Sequence, residues 1–86
     1  RRALALRYGA THAVDPATTD LGEFTRSLHP GAADLAIEAS GNYHALAGCI
    51  RSVGQCGRVV ALGFYCGPGA PLELGAEAFH NRVDIV

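Results

Sequence analysis

The hydrophobic and polar positions of this chain fall into alternating blocks. In the run Asp34-Leu35-Ala36-Ile37-Glu38-Ala39-Ser40-Gly41, small or apolar residues surround Glu38, and the run stops at Ser-Gly. A nearly continuous apolar run predicts a strand buried on both faces, as in a parallel sheet covered by helices. The run Gly57-Arg58-Val59-Val60-Ala61-Leu62-Gly63-Phe64 repeats the design and also ends at a glycine. In open α/β sheets, ligands bind just beyond the carboxyl ends of the strands. A small, hydroxyl-bearing exit at Ser40 and Gly41 is one that a flat ring or a ribose can approach, and both exits are expected to face one ligand.

The intervening blocks read as helices and short strands. Residues 1–8 end an amphipathic helix with Leu4 and Tyr8 on one face, and Gly9 stands at its C′ position. Thr11 to Val14 predicts a short strand, ended by Asp15-Pro16. Asp20 and Glu23 have capping-box spacing, and Leu21, Phe24 and Leu28 follow at helical intervals until His29-Pro30-Gly31. Asn42 caps a helix whose stripe is Tyr43, Leu46, Ala47, Ile50 and Val53, closed by Gly54. Residues 66–71 form a turn-rich loop, Leu74 to Asn81 a short helix, and Arg82 to Val86 a last strand of period two. Strand starts near residues 11, 34, 58 and 82 are evenly spaced, with helices between. This predicts an α/β fold, a doubly wound parallel sheet of about four strands.

Composition narrows the chemistry. Eighty-six residues make at most one small domain, and 49% hydrophobic content with a formal net charge of −1 favours neither nucleic acid nor a membrane surface. The seven basic residues are all arginine, which excludes a Walker A lysine, a Schiff-base lysine and a Tyr-x-x-x-Lys pair. No apolar run approaches the ~18 residues of a bilayer span, no signal peptide is evident, and a cytoplasmic location is expected. The chain has no Met and opens inside a helix, as a piece of a longer protein would. Cys49, Cys56 and Cys66 include no C-x-x-C, and their odd number argues against a disulfide framework. His12, His29, His44 and His80 are scattered, with no ligand-pair spacing. No metal ligand and no catalytic residue is assigned.

Four segments, in order, carry a resemblance: Gly9-Ala10-Thr11-His12, the Asp34 to Gly41 run, Gly57 to Gly63, and Phe79-His80-Asn81-Arg82. Together they resemble the medium-chain dehydrogenases/reductases, the family of zinc-type alcohol dehydrogenases, over the second half of its cofactor domain. The resemblance implies a partial Rossmann-like, dinucleotide-binding domain over residues 1–86. It lacks the Gly-rich first βαβ unit and the GroES-like catalytic domain. The parent implied is an oxidoreductase that moves a hydride between NAD or NADP and an alcohol or carbonyl. Zinc, where the parent holds it, finds no ligands in this chain.

Position by position, the resemblance places Arg1 beside the adenosine ribose or a 2′-phosphate, although Arg1 also reads as an exposed helix arginine. It places Ala39, Ser40 and Gly41 by the nicotinamide ribose, and Leu62, Gly63 and Phe64 by the nicotinamide carboxamide. Glu38 needs hydrogen-bond partners if buried and is given a structural role; Tyr65 is read as a pocket wall. In the family's sheet order the 34–38 strand pairs with a first strand that this chain lacks, so the 11–14 strand is expected to slide in beside it. The last strand is an edge through which a homodimer is expected. A non-enzymatic nucleotide-sensing or dimerising module is the alternative function.

Overall fold

The structure, a computed structural model, describes residues 1–79 and 81–86. His80 lies outside the described residues, and the helix expected up to Asn81 is described as far as Phe79, with Asn81 in a turn. The elements are α1 (Arg2–Arg7), α2 (Leu21–Leu28), β1 (Ala33–Glu38), α3 (Tyr43–Ser52), β2 (Val53–Ala61), a π-helical turn (Leu74–Phe79) and β3 (Asp84–Ile85). The strands form a parallel sheet in the order β1-β2-β3. This is the mixed α/β, parallel architecture that the alternating blocks predict, with three strands among the described residues in place of about four.

The missing strand is the one expected at 11–14. Those residues are irregular, and nothing among the described residues pairs with the outer edge of β1. The expectation that this segment would slide in beside β1 is therefore corrected. Asp15 opens a turn directly after that segment and takes the chain away from the sheet edge: its carbonyl accepts from the Thr18 and Thr19 amides, and its Oδ1 from the Ala17 amide.

The helix caps follow the sequence closely. Asp20 Oδ1 accepts from the Glu23 amide at 3.2 Å, and Asn42 Oδ1 accepts from the amides of His44 and Ala45 at 2.7 and 3.3 Å. Each satisfies donors that the first helical turn leaves without partners. The boundary after α3 differs from expectation. Gly54 does not close the helix, because β2 starts immediately at Val53. The early part of β2 is irregular: Ala33 pairs with Val53, but Leu35 already pairs with Arg58. Cys56, at φ 61°, sits in that extra length. The last strand is also shorter than the five residues expected, because residues 81–82 form a turn.

Burial is one-sided. α3 lays Leu46, Cys49 and Ile50 on the sheet face that carries Val59, which is fully buried, and Val53, Ala78 and Val83 complete the core. On the opposite face Leu35 and Ile37 remain 52% and 58% exposed. Burial of β1 on both faces is thus not met within this chain, because the helices that pack on the sheet lie on one side. α1 buries none of its residues, and its Leu4 and Leu6 stay about half exposed.

Stability should therefore concentrate around Val59. Val59→Ala should cost about 2 kcal/mol of unfolding free energy, from lost burial and the cavity left behind. Arg58→Ala breaks only an exposed pair with Asp84, at 2.9 Å, and should cost less than about 1 kcal/mol. Urea unfolding of the two variants checks that ranking.

Candidate functional site

The parallel register sets the site. Glu38 pairs with Ala61, and the Leu62 amide then donates to the Glu38 carbonyl at 2.8 Å. The two strands consequently run out of the sheet at the same level and on the same end. Gly41 adopts φ 80°, a conformation that side chains disfavour, and a Cβ there would lie 2.6 Å from the Phe64 carbonyl oxygen. A Cβ on Gly63 would overlap the backbone N and Cα of Gly41. The two glycine exits are in backbone contact, and neither tolerates a side chain without moving the other.

Glu38 holds this junction. It is 4% exposed, and each carboxylate oxygen accepts two hydrogen bonds. Oε2 accepts from the Ser40 amide at 3.0 Å and the Ser40 hydroxyl at 2.7 Å. Oε1 accepts from the Gly41 amide at 2.8 Å and the Tyr65 hydroxyl at 2.6 Å. Burial pushes this carboxyl's pKa up, but the donors from Tyr65, Ser40 and Gly41 together outweigh it and hold the pKa at about 2. Glu38 is thus ionised across the ordinary pH range. Burial, together with the hydrogen bond to Glu38, pushes the Tyr65 hydroxyl up to about 12. Burial, and secondarily the charge of Glu38, raises the Cys49 thiol.

Two tyrosines fix the loop after β2. Tyr65 is tied to Glu38, its ring lies 5.4 Å from that of Tyr43, and the Tyr43 hydroxyl donates to the Gly67 carbonyl at 2.9 Å. Between these anchors and β2, Phe64 stands 86% exposed and Leu62 66% exposed. A groove of about 810 Å³ opens beside the β1 exit, walled by Ser40, Asn42 and His44 on one side and Pro16, Thr18 and Thr19 on the other. Gly63 and Phe64 lie outside its lining.

Of the residues singled out from sequence, the structure brings Ser40, Gly41, Gly63 and Phe64 together, with Ala39 and Leu62 as the preceding residues of each exit. Arg1 stands apart, as the exposed N-cap of α1. The Glu38–Tyr65 bond was not legible, because it joins residues 27 apart through the strand register. The signal available was a lone acid in an apolar strand, which must find donors if buried. Among the described residues, no three His, Cys, Asp or Glu side chains converge as metal ligands. No helix among them is long and apolar enough to cross a membrane.

A parallel sheet whose adjoining strand exits are opened by glycines, with capped helices between, defines an α/β fold of the Rossmann-like type. The profile of the family described as zinc-binding dehydrogenase matches residues 1–85, and the chain belongs to that family. Three solved structures share the fold. Benzyl alcohol dehydrogenase from Acinetobacter calcoaceticus superposes with a TM-score of 0.82 at 22% identity, over 98% of this chain and 23% of that one. An NAD-dependent alcohol dehydrogenase gives 0.82 at 23% identity, over 99% and 24%. A protein from Sinorhizobium meliloti 1021 assigned as a zinc-binding dehydrogenase, bound to NADP, gives 0.79 at 30% identity, over 98% and 25%. The chain thus spans about a quarter of the length of the structures it matches. No curated protein matches it.

The charge state of Glu38 makes acid stability a direct probe. A folded pKa near 2 against an ordinary 4.5 means that Glu38 stabilises the fold fully above about pH 4.5, and that this contribution drains away as the pH falls toward 2. Glu38→Gln should be less stable at neutral pH by about 1–3 kcal/mol, because an amide cannot accept all four bonds. Its stability should then fall less than that of the native protein between those two pH values, as read by denaturant midpoints along a pH series.

Proposed function

We propose that this chain forms the nicotinamide-side wall of the cofactor domain in a dehydrogenase that transfers hydride between NAD or NADP and an alcohol or carbonyl compound. The observation that carries this reading is the backbone contact between the Gly41 and Gly63 exits, at the carboxyl end of adjoining parallel strands. That end is where open α/β sheets take their ligands. The two glycines keep the junction free of side chains, and Phe64 and Leu62 present apolar surface to a flat ring.

The donor set indicates which part of a dinucleotide fits. The amides of Ser40 and Gly41 both point inward to Glu38. They are not offered to a phosphate, as the free amides of a Gly-rich turn are. What remains exposed at the exits is small side chains, Leu62 and Phe64, which suits a ribose and a carboxamide-bearing ring. When bound, the nicotinamide supplies the hydride acceptor or donor; the chain's own residues orient it. Ala39, Ser40 and Gly41 wall the ribose, Leu62, Gly63 and Phe64 wall the ring, and Arg1 lies toward the adenosine end. The family membership and the NADP-bound relative support a nicotinamide cofactor. Zinc has no ligand cluster among the described residues, and no step is assigned to it here. The outer edge of β3 (Asp84–Ile85), which pairs with no further strand among the described residues, supports pairing with a second copy.

In the full protein that carries this chain, Gly63→Ala should weaken NAD(P)H binding at least tenfold, by forcing the exits apart, while retaining the native far-UV spectrum. Titration by nicotinamide fluorescence reads the change. A Gly63→Ala variant that is folded and binds as tightly as the native protein would falsify the placement.

A further inference from the structure

Resting on the dinucleotide reading above, we infer that Glu38 is a fixed negative charge that makes this site favour the oxidised, cationic nicotinamide over the reduced, neutral one. The geometry supplies the argument. The carboxylate lies one hydrogen bond behind the wall of the β1 exit, 3.0 Å from the Ser40 nitrogen and 2.8 Å from the Gly41 nitrogen. Its four donors are all neutral groups. The ion pairs among the described residues join Arg2 to Asp15, Arg51 to Glu77 and Arg58 to Asp84, and none of them involves Glu38. Hydrogen bonds keep the charge ionised without cancelling it, so its field extends into the adjoining exit.

One neighbouring feature opposes it. The positive end of α3 begins beside the same exit, but the Asn42 side chain occupies the amides of His44 and Ala45. Tyr65 and Tyr43 contribute neutral hydroxyls, and the Cys49 thiol, raised by burial, is protonated at neutral pH. The full negative charge of Glu38 exceeds the roughly half-unit positive charge of the α3 N-terminus, so the net influence from behind the exit is anionic. The oxidised nicotinamide ring carries a positive charge and the reduced ring carries none, so the two differ in what they gain from this field. At an effective dielectric constant of about 20, a unit charge even ~12 Å away contributes on the order of a tenfold difference in affinity.

The test is the ratio of dissociation constants for the oxidised and reduced cofactor, measured calorimetrically on the full protein. Glu38→Gln should weaken the oxidised form by about three- to tenfold more than the reduced form. Tyr65→Phe removes a donor but keeps the charge. It should weaken both forms in parallel and leave the ratio within about twofold of its native value. A purely structural role for Glu38 moves both constants together, so an unchanged ratio in a folded Glu38→Gln protein overturns the inference and leaves the dinucleotide reading intact. Should Glu38→Gln not fold, the native protein still decides. An analogue with a neutral benzamide ring in place of the pyridinium should bind at least about threefold more weakly than the oxidised cofactor, and equal affinity overturns the inference. If the native protein binds neither form, the dinucleotide reading itself fails, and this inference with it.

Discussion

A carboxylate at the buried end of a strand is costly unless every oxygen finds donors. Glu38 solves that problem by drawing donors from three places: its own exit, through the Ser40 and Gly41 amides; the Ser40 side chain; and the loop after the neighbouring strand, through Tyr65. The first two curl the chain after β1 back onto itself, which requires the positive φ of Gly41. The third pulls the loop after β2 across to meet it. Close approach of the two backbones follows, and so does the need for glycine at 63. The shape of the site is thus a consequence of satisfying one charge.

The same economy explains why the tip carries an exposed aromatic. Tyr65 points inward to Glu38, while its neighbour Phe64 stands exposed. Tyr43 then closes the loop from the other side through Gly67. Phe64 is exposed while both of its flanks are anchored, through Tyr65 to Glu38 and through the contact of the Gly41 and Gly63 exits.

Much of this was legible in the sequence. The two apolar runs, their glycine ends and the asparagine and aspartate caps each have a local cause that acts over a few residues, and the structure forms β1, β2, α2 and α3 where they indicate. What was not legible depends on pairing. Residues 11–14 have strand-like composition, but a strand needs a partner edge as well as propensity, and the turn begun by Asp15 takes the following chain away. Leu35 and Ile37 looked doubly buried because an apolar run does not say whether both faces are covered within the same stretch of chain. Tyr65 was assigned to a wall because its partner is set by the β1–β2 register, which brings Glu38 opposite Ala61 and so puts the loop after β2 within reach of the carboxylate.

The bare face and open edge of β1 bear on how this chain behaves. Parallel sheets are stable when both faces are covered, and an apolar edge strand with free backbone groups invites further pairing. Leu35 and Ile37 lie on that bare face, and β1 has no outer partner among the described residues. The strand nearest the site is therefore the one least protected on its far side, yet it carries the buried charge. The Glu38 network ties β1 to the loop after β2 independently of what covers the outer face, so the exit geometry is set from within the β1–β2 pair. A strand added at the open edge would add stability to β1 without having to build the site, because the donors that hold the two exits together all come from residues 40–65.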